Sequence, residues 1–187
     1  MNSKSISFTK KWTLFLDRDG VINRRNPNGY ITQWEEFVFL DGVRESLAVL
    51  RDIFGWIIIV SNQQGIGKGL MQHSDLKLID EKMKAEIEKA GGRIDASYYC
   101  THLESENHPD RKPGTGLGLK AKKDFPEITF SHSVMAGDTL SDMQFGRNLG
   151  MLNILISSNP NEIPDTSLYD YRFDSLQSFT NTLITNT

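Results

Sequence analysis

The sequence predicts an α/β fold in which helices cover both faces of a parallel sheet. Short runs rich in apolar and β-branched residues alternate with segments whose apolar residues recur at helical spacing. Three of these runs end directly in polar clusters, as buried strands do when their carboxyl ends carry functional groups. The pattern therefore favours a Rossmann-like sheet whose site lies beyond the carboxyl ends of its strands.

Five strands and five helices are predicted in alternation. The predicted strands are residues 12–16, 56–60, 97–100, 132–136 and 152–156. The predicted helices are one from Val43 to the turn at Gly55, one over 74–89, one over 117–123, one over 139–149 and one after Ser175. Ser74 or Asp75 is expected to cap the second helix.

Length, charge and composition describe one globular domain, and we assign all 187 residues (1–187) to it. The net charge of -3 argues against a nucleic-acid partner, since such proteins usually carry a basic face. A lone cysteine, Cys100, cannot form an internal disulfide, and no apolar run suits a signal peptide or a membrane span. We expect a cytoplasmic monomer that binds neither nucleic acid nor membrane.

Two carboxylates, Asp17 and Asp19, follow the first predicted strand. A calcium-binding loop starting at Asp17 would need glutamate at its twelfth position, where the chain has Asn28. The glycine-rich stretch 65–69 is not an ATP-binding loop, because Asn62 and Gly69 replace required residues. Taken alone, the pair of carboxylates is about as often a solvated turn as a functional site.

Four short motifs decide between these interpretations. In chain order they are Phe-Leu-Asp-Arg-Asp-Gly-Val-Ile-Asn (15–23), Ser61 at a strand end, Arg-Lys-Pro (111–113) and Gly-Asp-Thr-Leu-Ser-Asp (137–142). Together they resemble the motifs of the haloacid dehalogenase-like (HAD) phosphatases. The resemblance covers about residues 12–157 and implies a HAD-like parallel sheet with a minimal cap.

The resemblance implies covalent catalysis on a phosphate ester. Asp17 would attack phosphorus and form an acyl phosphate. Asp19 would protonate the leaving oxygen and later deprotonate water, which requires burial or nearby negative charge to raise its pKa. Ser61 would hydrogen-bond the phosphoryl group, and Lys112 would neutralise the nucleophile and the phosphate.

A magnesium site follows from the same resemblance. The carboxylates of Asp17 and Asp138 and the backbone carbonyl of Asp19 would be ligands, and hard oxygen donors suit Mg²⁺. Asp142 would act through water or fix a neighbouring side chain.

The chain is most similar to the subgroup of D-glycero-D-manno-heptose 1,7-bisphosphate phosphatase and histidinol-phosphate phosphatase. This similarity implies hydrolysis of the C7 phosphate of a heptose bisphosphate, with histidinol phosphate as the alternative substrate and an inactive phospho-ligand-binding relative as a second alternative. Residues expected to contact substrate are Asn62, Gln64, Lys68 and Arg111. Thr139 departs from the heptose pattern, which usually has lysine there.

A loop over residues 100–110 resembles a structural zinc site in this subgroup, but only in part. Cys-x-His is present, whereas the second cysteine pair is replaced. The candidate ligands are Cys100, His102, His108 and Asp110. Either zinc binds this altered set, or the metal is lost and packing holds the loop.

Overall fold

The computed structural model describes residues 7–159 and 161–184 and shows six strands and five α-helices within them. The strands are β1 Thr13–Leu16, β2 Trp56–Asn62, β3 Ala96–Cys100, β4 Ser133–Gly137, β5 Leu152–Ile156 and β6 Tyr171–Phe173. The helices are α1 Val43–Ile53, α2 His73–Lys89, α3 Gly116–Asp124, α4 Leu140–Leu149 and α5 Leu176–Ile184. The predicted domain 1–187 therefore includes residues 1–6, 160 and 185–187, which lie outside the described part.

The six strands form one parallel sheet in the order β3-β2-β1-β4-β5-β6. The chain builds outward from β1 to β3, then returns to place β4 on the other side of β1. Strand order thus reverses at β1, and such a point opens a crevice at the carboxyl ends of the flanking strands. Residues that follow β1, β2 and β4 therefore meet at one edge of the sheet.

Alternate residues of each central strand pack on opposite faces, as the period of a strand requires. Leu14 and Leu16 of β1 join one apolar cluster, which contains buried residues of α1, α2 and α5. Phe15 joins a second cluster with buried residues of α3 and α4. Helices therefore cover both faces, as predicted, and the two central strands, β1 and β4, are buried at every position.

Three local predictions differ from the structure, and the first is the end of β2, which lies at Asn62 and not at residue 60. β6, whose sequence is Tyr-Arg-Phe, was not predicted because three residues with an exposed arginine give no apolar run. Helix α2 begins earlier than expected, with Gln72 as its N-cap. The Gln72 backbone N–H donates a hydrogen bond of 2.7 Å to the Asp75 carboxylate. None of the helices in the described ranges is long and apolar enough to cross a membrane.

Candidate active site

Asp17 lies directly after β1 and is paired with a buried lysine. Its backbone N–H bonds to the carbonyl of Ala136 at 3.0 Å, which extends the β1–β4 pairing by one residue. Lys112 Nζ lies 2.9 Å from Asp17 Oδ1. Burial raises the pKa of the Asp17 carboxyl, and the charge of Lys112 acts in the opposite direction. The site therefore holds a carboxylate whose negative charge is stabilised mainly by one ammonium group.

Lys112 is fixed on all sides, with 1% of its side chain exposed. Besides Asp17, its ammonium contacts Asp142 Oδ1 at 2.5 Å and the Val60 carbonyl at 2.6 Å. Burial alone would lower the pKa of Lys112, but the charges of Asp142 and Asp17 raise it above its usual value. Lys112 is therefore a permanent cation beside the Asp17 carboxylate.

Asp142 connects Lys112 to the start of α4. Its Oδ2 accepts hydrogen bonds from the Thr139 hydroxyl at 2.6 Å and the Thr139 N–H at 3.0 Å, while Oδ1 faces Lys112. Thr139 Oγ1 in turn accepts from the Asp142 N–H, which completes a capping box. This geometry supports the prediction that Asp142 fixes a neighbouring side chain.

Three carboxylates form a group that fits a divalent cation. One oxygen each from Asp17, Asp138 and Asp142 lies within 4.8 Å of the others. Burial, together with the charges of Asp17 and Asp142, raises the pKa of Asp138 to about 8. A Cβ on Gly20, whose φ is +94°, would come within 1.8 Å of Asp138 Oδ2, so the chain leaves room there only for glycine. Crowded carboxylate oxygens of this kind are the donors that Mg²⁺ prefers.

Asp19 is held by three donors that the sequence did not reveal. They are Arg18 Nη2 at 3.0 Å from each oxygen, Asn23 Nδ2 at 2.8 Å and Gln63 Nε2 at 2.6 Å. Burial acts to raise the pKa of Asp19, but the Arg18 charge and these hydrogen bonds hold it below its usual value. The raised pKa expected for a general acid is therefore wrong for this arrangement, because Asp19 has its own buried counter-ion.

A cavity of about 340 Å³ lies above these residues. Its walls include Asn62, Gln64 and Arg111 but not Lys68, whose ammonium lies 5.2 Å from the centre of the Tyr30 ring. The Asn62 side chain bonds to the backbone N–H and carbonyl of Lys112 at 3.0 and 3.1 Å. Asn62 therefore fixes the Lys112 loop, while contact between these four residues and substrate stays a prediction.

Of the two alternatives for the 100–110 loop, a zinc site is not supported by the structure. Among the described residues, the three-carboxylate group is the only cluster with metal-binding spacing, and it contains none of Cys100, His102, His108 or Asp110. The His102 and His108 rings stack at 3.7 Å, and His102 Nδ1 lies 2.5 Å from Glu106. Asp110 pairs with Lys120, and burial raises the pKa of the Cys100 thiol. Packing and hydrogen bonds thus hold the loop.

Comparison with known proteins assigns this arrangement to a family. Residues 12–176 match the family model described as polynucleotide kinase 3 phosphatase. D-glycero-alpha-D-manno-heptose-1,7-bisphosphate 7-phosphatase from Mycobacterium bovis is 35% identical over 170 residues, which are 90% of each chain. D-glycero-beta-D-manno-heptose-1,7-bisphosphate 7-phosphatase from Helicobacter pylori is 35% identical over 83% of this chain and 89% of its own.

Solved structures show the same fold. A crystal structure of D,D-heptose 1,7-bisphosphate phosphatase from B. bronchiseptica, complexed with magnesium and phosphate, has a TM-score of 0.84. The two sequences are 22% identical, and the match covers 94% of this chain and 99% of that one. The enzyme of the same name from Burkholderia thailandensis has a TM-score of 0.66 at 26% identity, over 92% and 98% of the two chains.

Proposed function

Because the chain belongs to the polynucleotide kinase 3 phosphatase family, within the HAD-like phosphatases, we propose that it removes the 7-phosphate of D-glycero-D-manno-heptose 1,7-bisphosphate. The observation that carries the chemistry is the Asp17 carboxylate, held 2.9 Å from Lys112 at the reversal point of the sheet. Relatives with 35% identity along most of the chain carry the substrate assignment.

In the first half of the reaction, an oxygen of Asp17 attacks phosphorus and the bond to the sugar oxygen breaks. Lys112 stabilises the charge on the attacking carboxylate and on the phosphoryl oxygens. Ser61, which lines the same cavity as Asp17 and lowers the pKa of that carboxyl, donates a hydrogen bond to the phosphoryl group. The product is an acyl phosphate on Asp17 and a sugar alkoxide that needs a proton.

Asp19 supplies that proton and later accepts one from the water that attacks the acyl phosphate. To act as an acid it must first take up a proton, although Arg18, Asn23 and Gln63 favour its charged form. The negative charge of a bound phosphate opposes those donors and raises the pKa of Asp19. Proton transfer by Asp19 thus depends on substrate being present.

Magnesium would be held by the carboxylates of Asp17 and Asp138 and by the backbone carbonyl of Asp19, with the Asp142 carboxylate in the same group. When bound, it supplies positive charge that balances the nucleophile and the phosphate. A monomeric, cytoplasmic enzyme without nucleic-acid or membrane partners remains our expectation. The presence of Asp17, Asp19, Lys112 and Asp138 argues against an inactive relative.

Phosphate release tests the proposal with a panel of substrates in the presence of Mg²⁺. The panel contains the α and β anomers of heptose 1,7-bisphosphate, histidinol phosphate and a 3′-phosphorylated oligonucleotide, because the family model is named for a polynucleotide phosphatase. We expect the highest kcat/KM with a heptose bisphosphate and no phosphate release from the oligonucleotide. A preference for histidinol phosphate would make that compound the substrate. If no member of the panel releases phosphate, the proposed phosphatase activity is wrong.

A further inference from the structure

Arg25 reaches the carboxylate group from the loop that follows β1. Its Nη2 lies 2.9 Å from Oδ1 and 2.9 Å from Oδ2 of Asp138, so one nitrogen bridges the whole carboxylate. The Arg25 side chain is 46% exposed, whereas that of Asp138 is 15% exposed. Arg25 also lines the cavity above Asp17. A solvent-facing guanidinium is therefore paired with the carboxylate of Asp138, which we propose as a magnesium ligand.

The two cations at this group differ in their freedom to move. Lys112 is buried and bonds to three acceptors from separate parts of the chain. In the part of the chain that the structure describes, the guanidinium of Arg25 bonds to Asp138 alone. A long side chain with one anchor and access to solvent can turn when that anchor takes another partner. Arg25 is thus the cation that a metal ion on Asp138 would displace.

The displaced guanidinium would still line the cavity above Asp17, where the proposed function puts the substrate phosphate. Thr139, the residue after Asp138, is uncharged, and its hydroxyl is engaged in the cap of α4. The start of α4 therefore offers no cationic side chain at Thr139, and Arg25 brings one from a different loop. A guanidinium matches phosphate geometry with paired hydrogen bonds and keeps its charge at any working pH.

We propose that Arg25 is a substrate-binding residue that changes partner: it pairs with Asp138 until Mg²⁺ takes that carboxylate, and it then binds the substrate phosphate. The inference rests on the proposed function, because it takes Asp138 as a magnesium ligand. It makes binding of cation and phosphate cooperative through one side chain. Two measurements without turnover follow from it.

The first measurement is calorimetric titration of Mg²⁺ into protein alone, in low-salt, mildly alkaline buffer. Removing the competing guanidinium in Arg25→Ala should tighten Mg²⁺ binding about threefold, the scale of a partly exposed ion pair. Arg25→Lys keeps the charge and should lie between the two. Arg24→Ala is the matched control, because Arg24 is exposed and makes no bond to Asp138. It should bind Mg²⁺ as wild type does.

The second measurement is titration of inorganic phosphate at saturating Mg²⁺, where Arg25→Ala should bind about tenfold more weakly than wild type. With the metal chelated, the two proteins should differ much less. Equal Mg²⁺ affinity in wild type and Arg25→Ala, or the same loss of phosphate affinity with and without Mg²⁺, would overturn the inference. Failure of the proposed function is distinct, because it would leave wild type without Mg²⁺ binding or without phosphate release from heptose bisphosphate.

Discussion

Asp19 has a fully buried counter-ion, Arg18, in the same turn of chain. Arg18 is 0% exposed, and its Nη2 bridges both oxygens of Asp19, while its guanidinium carbon lies 5.9 Å from the centre of the Phe37 ring. Neither Nε nor Nη1 of Arg18 has a hydrogen-bond partner in the described residues. The ion pair with Asp19 is therefore the main compensation for burying this charge.

Asp19→Asn is expected to damage both stability and chemistry. Arg18 would be left buried without its counter-ion, which costs about 3 kcal/mol in free energy of unfolding. Asparagine cannot transfer the proton, so kcat should fall about 10²- to 10⁴-fold, and hydrolysis of the phosphoenzyme should slow. Urea unfolding and acid-quench detection of the phosphoenzyme measure the two effects. Asp52→Asn, an exposed carboxylate, is the control. Unchanged rates would remove Asp19 from proton transfer.

Asp17→Asn should separate chemistry from folding. The substitution removes the proposed nucleophile and should lower kcat at least about 10³-fold. Burial raises the pKa of Asp17, which means that its charge is unfavourable in the fold, and Lys112 keeps Asp142 as a partner. The free energy of unfolding should therefore stay within about 1 kcal/mol of wild type. Phosphate release and urea unfolding test this, and retained turnover would contradict the nucleophile assignment.

At the scale of elements, the start of α4 links helix stability to the active site. Thr139 caps the helix, and its hydroxyl also bonds to the carboxylate that faces Lys112. Thr139→Ala should cost about 1 kcal/mol in free energy of unfolding and lower kcat a few-fold. Thr139→Ser keeps the hydroxyl and should recover most of both. If serine is as damaging as alanine, the methyl group and not the cap is what matters.

Several elements could be predicted because their local pattern agrees with their packing. β5 has the predicted bounds, 152–156, since a run of apolar residues is buried between two neighbouring strands. β6 could not be predicted, because its three residues become a strand only by pairing with the edge of β5. Local sequence does not contain that pairing.

The active site also has one part that the local sequence predicts and another that only the fold creates. Asp17, Ser61 and Asp138 meet because parallel strands bring their carboxyl ends together, and the strand runs predicted those ends. The hydrogen bonds that hold Asp19 could not be predicted, because Arg18 lies after the point where the chain leaves β1 and turns. Strand alternation no longer sets side-chain direction there. Of the two other donors, Asn23 and Gln63, the latter lies directly after β2, and only the tertiary fold brings it to Asp19.

Considered as a whole, the molecule concentrates negative charge at one edge of its sheet although its net charge is only -3. Asp17, Asp138 and Asp142 lie together there, and burial with mutual repulsion raises the pKa of Asp138 from 3.8 to about 8. The folded protein therefore binds more protons than the unfolded chain between those pH values. Stability contributed by this group is present below the ordinary pKa and is lost as pH rises toward 8.

This linkage predicts how pH and magnesium act together on folding. With the metal chelated, the free energy of unfolding from urea titrations should fall as pH rises from about 5 to about 8, because Asp138 must give up a proton that the fold favours. Saturating Mg²⁺ should flatten the fall, since the cation stabilises the ionised carboxylates in the folded state alone. Asp138→Asn should flatten it without metal, whereas Asp52→Asn should leave it as in wild type. An equal slope in wild type and Asp138→Asn would show that the charge concentrated at this edge does not limit stability.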